Sequence, residues 1–237
     1  MTVHQRPASL RETLPTQRGR LILLLVGVLL PLIGFGVLAE LTRGQRTLFW
    51  DTSLLWWVHR HASPALDIVM TLVARLGYGS GVIPVDGLIL VLLASWRQWG
   101  NLRFFALAIS GAQILELVGK QIFRRVRPAL WVSLIPEHTF SFPSGHAVAS
   151  MAFVAALSVL LWPTRWRWPI LILGGLFVVL VGLSRIYLGV HYPSDVVAGW
   201  AASLAWVTGV SMVLYGRPVK PTPSAVPAGE PERDRSQ

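Results

Sequence analysis

The sequence lacks cysteine altogether and contains few charged residues. Without cysteine, neither disulfide bonds nor catalytic thiolates can form, although this absence does not identify a compartment. Only 14% of the 237 residues are charged, whereas a typical soluble domain carries about a quarter. This shortage argues against a soluble domain and favours a protein embedded in lipid.

Acidic residues are especially scarce, with 11 Asp and Glu against 21 Lys and Arg. The net charge of +10 does not indicate a nucleic-acid partner, because the basic residues mostly form short clusters between apolar runs. That arrangement is typical of a protein that faces anionic lipid headgroups. Only Glu137 and Asp195 lie near the polar clusters described below, too few for a carboxylate-rich two-metal site. We therefore expect neither a metal nor another cofactor.

Long apolar runs dominate what remains, since 53% of the residues are hydrophobic. A helix needs about 20 mostly apolar residues to cross the hydrocarbon of a bilayer. This criterion predicts an all-α fold, an integral membrane bundle of six transmembrane helices. The predicted spans are residues 21–39, 80–96, 102–120, 146–162, 169–188 and 194–215.

Three further segments complete the predicted organisation. Residues 1–20 are expected to form a cytoplasmic N-terminal segment, and 21–215 the six-helix membrane domain. Within it, residues 40–79 are interpreted as an outer loop with one short interfacial or re-entrant helix, because the apolar run from Leu66 to Leu76 is too short to span. Residues 216–237 are rich in proline and small or charged residues, which predicts a disordered tail.

Three polar clusters interrupt the apolar pattern, at residues 120–128, 142–146 and 184–195. The first follows the third predicted span, the second precedes the fourth, and the third joins the fifth to the sixth. In an antiparallel bundle these helix ends lie on the same face of the membrane. The alternation of helix direction therefore predicts that all three clusters meet.

The residue types in these clusters match the requirements of phosphoryl transfer. Lys120, Arg127 and Arg185 can bind the nonbridging phosphate oxygens, the arginines with paired donors. Ser144 is expected at the N-cap of a helix, with the amides around Gly145 directed at an anion.

Two histidines can divide the chemistry between them. A neutral imidazole attacks phosphorus when its other ring nitrogen donates to a fixed acceptor. His191 is the candidate nucleophile, and Asp195, four residues later, is its expected acceptor. His146 would protonate the departing alkoxide and then activate water.

The three clusters together resemble the signature of the type 2 phosphatidic acid phosphatase superfamily. They read Lys-x6-Arg-Pro, Pro-Ser-Gly-His and Ser-Arg-x5-His-x3-Asp, with no departure at any signature position, and they span residues 120–195. The six-helix layout extends the resemblance to about residues 21–215. The resemblance implies an all-helical fold with the site on the outer face of the membrane.

The resemblance also implies roles for individual residues. His191 would be the nucleophile, His146 the acid and base, and Asp195 the residue that orients the nucleophile. The implied phosphate ligands are Lys120, Arg127, Ser144, Gly145 and Arg185.

These observations predict a multi-pass phosphatase of the inner or plasma membrane with its active site on the periplasmic or extracellular face. Its expected partners are the bilayer and a phosphorylated lipid, a monoester or a diphosphate such as phosphatidylglycerophosphate, phosphatidic acid or undecaprenyl diphosphate. No obligatory protein partner is expected. The alternatives are a lipid phosphotransferase and a non-catalytic protein that binds or transports phospholipids.

Two neighbouring features have no place in the signature. Glu116, one helical turn before Lys120, is interpreted as the ion-pair partner of that lysine. Arg124 and Arg125 either attract anionic lipid or are simply solvated, and the sequence leaves these alternatives open.

Overall fold

The computed structural model describes residues 17–215, which fold into helices joined by mostly short connections. Residues 1–16 of the predicted N-terminal segment and the whole predicted tail, 216–237, lie outside the described range. The helices of that range are α1 (Gln17–Leu41), α2 (Phe49–Arg60), α3 (Pro64–Leu76), α4 (Val82–Ser95), α5 (Trp99–Phe123), α6 (Gly145–Leu161), α7 (Arg167–Tyr187) and α8 (Pro193–Tyr215).

The all-helical prediction is confirmed, and the chain is a multi-pass membrane protein. Four helices, α1, α5, α7 and α8, are long and apolar enough to cross a bilayer by length and composition. The other two predicted spans exist as apolar helices, but α4 has 14 residues and α6 has 17. These lengths lie below or at the lower limit of about 17 residues for a spanning helix. Six spans therefore stay a prediction.

The segment between the first two predicted spans differs from expectation. It contains two helices, α2 and α3, where the sequence predicted a single short one. The signals for α3 are local: Pro64 occupies its first turn, and the Ser63 hydroxyl accepts a hydrogen bond from the amide of Leu66 at 3.4 Å. The longest apolar run in α2, residues 54–58, has only five residues, so a search for membrane-spanning runs misses this helix. It buries Asp51 and Leu55, one turn apart on one side of the helix.

Small residues on α6 and α8 allow these two helices to pack closely at the centre of the bundle. The buried positions of α6 include Ala147, Ala149, Ser150, Ala152 and Ala156. Buried alanine, glycine and serine residues also occur along α8. Inside a membrane, helices associate through such close packing, because lipid tails are as apolar as large side chains.

Close packing brings the N-terminal ends of α6 and α8 together. The amide of Ser144, which precedes α6, donates to the carbonyl of Asp195 in the first turn of α8 at 3.1 Å. Gly199 lies one turn further along α8, where a β-carbon would come within 2.9 Å of the Ser144 carbonyl oxygen. The position of two signature segments therefore depends on a glycine outside the signature.

We expect Gly199→Ala to lower the melting temperature of the detergent-solubilised protein, because the added methyl group forces the two helices apart. Overpacking of this kind costs about 1–3 kcal/mol. Gly209→Ala is the matched control, since Gly209 lies on the same helix and a β-carbon added there would meet no neighbouring atom within 4 Å. Alanine favours helix more than glycine does, so the control should be neutral or stabilising. Equal melting temperatures for the two variants would contradict the proposed close contact.

Candidate active site

The three polar clusters of the sequence meet at one end of the bundle, which confirms the predicted convergence. Arg127 of the first cluster donates from Nη1 to Nε2 of His191 in the third, at 2.9 Å. The second cluster bonds to the third through the Ser144 amide, and it lies beside the first at Gly145, where a β-carbon would be 3.8 Å from Lys120 Nζ.

His191 lies at the centre of this site, in the turn between α7 and α8, and is completely buried. A guanidinium group can only donate hydrogen bonds, so the Arg127 contact assigns the unprotonated role to Nε2. Nδ1 then carries the proton in the neutral ring. The lone pair of Nε2 consequently faces Arg127, and the Nδ1 proton points the other way, toward α8.

Asp195 lies on the predicted side of His191, but the two make no direct hydrogen bond. The distance from Nδ1 to Asp195 Oδ2 is 3.6 Å, which is too long for one. Ser141 connects them, because its hydroxyl lies 3.4 Å from Nδ1 and donates to Asp195 Oδ2 at 2.5 Å. Ser141 lies two residues before the Pro-Ser-Gly-His motif, and sequence reasoning did not single it out.

The predicted phosphate-binding cations are all present, and each is paired with a carboxylate. Arg127 contacts Glu137 at 2.6 Å, and Arg185 also forms an ion pair with Glu137. Lys120 lies 2.7 Å from Glu116, the helical pairing expected from their spacing. Pairing is needed because these cations are largely buried, and an unpaired buried charge is very unfavourable.

Two buried polar atoms in the site have no hydrogen-bond partner within the described part of the chain. They are the Ser144 hydroxyl and Nε of Arg185. Ser144 occupies the N-cap position of α6 as predicted, but its side chain does not cap the helix. Buried donors are normally satisfied, so these two groups fit a site that accepts an anion.

Gly145 packs closely against the side chain of Glu116. A β-carbon there would lie 2.7 Å from Oε1 of Glu116. Gly145 therefore allows the start of α6 to approach the Lys120–Glu116 pair of α5.

Glu137 occupies the middle of the site from the loop between α5 and α6. Its Oε1 lies 3.8 Å from Nδ1 of His146, and its Oε2 lies 3.9 Å from Nε2 of His191. Burial alone would raise the pKa of Glu137, but Arg185, His191, Arg127 and Lys120 outweigh burial and lower it. A carboxylate thus lies among the groups expected to bind and attack phosphate. Sequence reasoning assigned Glu137 no such role, because only its nearness along the chain was visible.

Arg125 differs most from expectation, since both alternatives considered for it placed it near the surface. It is only 2% exposed and contacts Asp51 of α2 and Asp195 of α8. Arg124, its neighbour, is exposed and ends α5 with a left-handed backbone conformation (φ 45°). The helix end therefore directs one arginine outward and the next into the protein.

Comparison with known proteins identifies the family. The profile of the PAP2 superfamily matches residues 101–218. An undecaprenyl-diphosphatase of Sulfolobus acidocaldarius is 30% identical over 199 residues, which cover 82% of this chain and 88% of the relative. This chain belongs to the PAP2 superfamily. The resemblance noted in the sequence is confirmed.

Other PAP2 proteins agree in sequence and in fold. The phosphatidylglycerophosphatase B of Bacillus subtilis is 32% identical over 146 residues, covering 60% of this chain and 71% of the relative. The crystal structure of a transmembrane PAP2-type phosphatidylglycerolphosphate phosphatase from B. subtilis matches with a TM-score of 0.71 at 28% identity, over 78% of this chain and 94% of that one. LpxE of Aquifex aeolicus matches with a TM-score of 0.59 at 27% identity, over 72% and 99% of the respective chains. The names of these relatives confirm the predicted class of enzyme, a phosphatase.

The electrostatics around His191 predict opposite pKa changes in two variants. Burial lowers the pKa of His191 well below its ordinary value of 6.5, Arg127 and Arg185 lower it further, and Glu137 raises it. The uncharged ring therefore predominates at neutral pH. We expect Arg127→Gln to raise this pKa and Glu137→Gln to lower it, measured from the ring ¹⁵N shifts during an NMR pH titration. The His191 signals are assigned by their loss in His191→Ala, and shifts of the same sign in both variants would contradict the geometry.

Glu137 should compete with any anion that enters the site. We expect Glu137→Gln to bind inorganic phosphate about tenfold more tightly, equivalent to about 1.4 kcal/mol, because phosphate no longer has to displace a carboxylate. Calorimetric titration of the protein in detergent measures this affinity. Glu40→Gln is the control, since Glu40 is an exposed glutamate paired with Arg43 on α1. Weaker binding by Glu137→Gln would show that the carboxylate assists anion binding instead.

Proposed function

We propose that this PAP2 protein hydrolyses the phosphate monoester or diphosphate of a membrane lipid through a phosphohistidine at His191, without a metal ion. The observation that carries the proposal is the position of the Glu137 carboxylate. Both imidazoles lie within 4 Å of it, and it pairs with Arg127 and Arg185. A phosphoryl group in its place meets a nucleophile, a proton donor and two guanidinium groups.

In the first step, the lipid phosphate displaces Glu137 and binds Arg127 and Arg185, with Lys120, the Ser144 hydroxyl and the amide of Gly145 as further donors. As Arg127 turns from Nε2 of His191 to the phosphate, the freed lone pair of Nε2 attacks phosphorus, and an N–P bond forms while the P–O bond to the leaving group breaks. Protonated His146 gives its proton to the departing oxygen. The Nδ1 proton of His191 stays on the ring, and Asp195, through Ser141, stabilises the positive charge that develops there.

In the second step, His146 is neutral and can accept a proton from water. The resulting hydroxide equivalent attacks phosphorus, the N–P bond breaks, and its electron pair returns to Nε2 of His191. Inorganic phosphate leaves, and both histidines regain their starting protonation states. The arginines bind the three nonbridging oxygens in both steps, where electrostatic stabilisation contributes most to phosphoryl transfer.

An apolar groove next to the site supports a lipid substrate. It has a volume of about 670 Å³, runs between α1, α5 and α8, and reaches Glu116, Gly119 and Pro143 at the polar end. The relatives named above include phosphatases of undecaprenyl diphosphate and of phosphatidylglycerophosphate, and a lipid A 1-phosphatase of Rhizobium johnstonii is 39% identical over 135 residues. These names support a lipid phosphate as the substrate class.

The proposed topology has six spans within residues 21–215, with α4 and α6 crossing as short helices and the N-terminal segment in the cytoplasm. The active site then lies on the periplasmic or extracellular face of the inner or plasma membrane. One contact supports this arrangement: Gln45, just after α1, donates to the carbonyl of Arg124, just after α5, at 3.0 Å. The ends of the first and third spans therefore lie together, as their shared direction requires.

The test is phosphate release from a panel of lipid phosphates by the purified protein in detergent, with EDTA present throughout. We expect the wild type to remain active, and His191→Ala to lose about 10³-fold or more, because the nucleophile is missing. His146→Ala should lose about 10²–10⁴-fold, the usual contribution of acid–base catalysis. His61→Ala is the control, because His61 is exposed at the end of α2 and its ring contacts Trp57 of the same helix.

Acid-labile, alkali-stable labelling by a phosphate-labelled substrate identifies the phosphohistidine, and it should disappear in His191→Ala. Activity that EDTA abolishes, or that survives in His191→Ala, would exclude the mechanism. Transfer of phosphate to an added lipid alcohol would identify a phosphotransferase. Binding without turnover across the panel would identify a binding or transport protein.

A further inference from the structure

A chain of buried charged residues connects the active site to helix α2. It begins at Asp51 on α2, continues through Arg125 after α5, and ends at Asp195 on α8. Asp51 and Asp195 are completely buried, and Arg125 is 2% exposed. Neither Asp51 nor Arg125 contacts the position where phosphate would bind, so the proposed chemistry leaves both without a role.

Arg125 is fixed by several contacts at once. Its Nη1 donates to Asp195 Oδ1 at 2.5 Å and to the Ser194 hydroxyl at 2.8 Å. Its Nη2 donates to Asp51 Oδ2 at 3.0 Å, and the guanidinium lies 4.1 Å above the ring of Tyr192. A planar, forked cation of this kind can bridge two carboxylates, which a lysine cannot do with the same geometry.

Asp51 is equally constrained. Its Oδ1 accepts from the amide of Ser194 at 3.0 Å, and its Oδ2 accepts from the hydroxyl of the same residue at 2.7 Å. Asp51 therefore binds both Arg125 and the first turn of α8, immediately before Asp195. This arrangement anchors α2 to the helix end that carries Asp195, which Ser141 connects to His191.

The opposite oxygen of Asp195 completes the chain. Oδ2 accepts from the Ser141 hydroxyl at 2.5 Å and from the amide of Tyr192 at 2.9 Å. Arg125 thus fixes one oxygen of the carboxylate while the other faces Ser141 and His191. The backbone gives a second link, since the Ser141 amide donates to the carbonyl of Arg125 at 2.8 Å. Arg125 contacts both groups that lie on the Nδ1 side of His191.

We propose that Arg125 and Asp51 are positioning residues, which align Asp195 and Ser141 with His191 and so couple the docking of α2 to phosphoryl transfer. The proposal rests on the function proposed above. Two carboxylates share one guanidinium in this chain, so a formal negative charge remains beside His191. That charge compensates the positive ring formed when Nε2 binds phosphorus. A loosened Asp195 stabilises this ring less well, although phosphate binding by Arg127 and Arg185 is unaffected.

The test compares Arg125→Gln with Arg124→Gln, which removes the same charge from the adjacent exposed arginine. We expect kcat of Arg125→Gln to fall about 10- to 100-fold, because small misplacements of catalytic groups cost up to about 100-fold in rate. Its KM should change less than about threefold, and Arg124→Gln should resemble the wild type in both. Single-turnover formation of the phosphohistidine should slow as much as kcat does. Arg125→Lys should restore less than half of the loss in log kcat that Arg125→Gln causes, because a lysine cannot bridge both carboxylates.

Asp51→Asn provides an independent measurement if Arg125→Gln fails to fold. It keeps the contact between Arg125 and Asp195 and should still lower kcat about fivefold or more without raising KM, because the bridge loses one anchor. An unchanged kcat in either folded variant would overturn the proposal, as would an equal loss in Arg124→Gln or a loss confined to KM. His191→Ala is assayed in parallel. If it is active, the phosphohistidine mechanism fails, whereas an inactive His191→Ala beside a fully active Arg125→Gln refutes the positioning role alone.

Discussion

The burial of charge at the end of a lipid-embedded bundle is the constraint on which this structure depends. A cation removed from water is tolerated only when it has an anion and hydrogen-bond partners close by. Here the solution is a set of short-range pairs: Lys120 with Glu116, Arg127 and Arg185 with Glu137, and Arg125 with two aspartates. Each pair joins a residue of the proposed site to a residue of opposite charge that makes its burial possible.

Small side chains allow the helices that carry these pairs to pack closely. Alanine, glycine and serine along α6 and α8 let the helices approach, which places Ser144 next to Asp195. Van der Waals packing thus sets the distance between polar groups, since lipid offers little hydrophobic force to bring helices together. The distances between polar groups at the site therefore depend on packing contacts further along α6 and α8.

The sequence predicted the fold class, the apolar helices and the convergence of three clusters, because apolar run length and helix direction are properties of the chain itself. It missed α2, whose longest apolar run, residues 54–58, is far too short to span a membrane. It also missed the burial of Arg125, since one residue of backbone in the left-handed conformation at Arg124 decides which arginine turns inward. Ser141 could not be identified either, because its role depends on the 3.6 Å distance between His191 Nδ1 and Asp195 Oδ2, which is slightly too long for a direct hydrogen bond. Such features arise from tertiary geometry and leave no periodic pattern in the sequence.

The carboxylate of Glu137 has a consequence for how a catalytic cycle ends. In the proposed cycle Glu137 pairs with Arg127 and Arg185 between substrates, so substrate binding exchanges one anion for another instead of filling an empty cationic cavity. A pocket with three cations and two imidazoles would otherwise retain inorganic phosphate. The returning side chain offers the arginines an alternative anion that is covalently attached and therefore always at high local concentration. In the proposed cycle, Glu137 alone would thus both promote the release of product and pair with the arginines of the resting site.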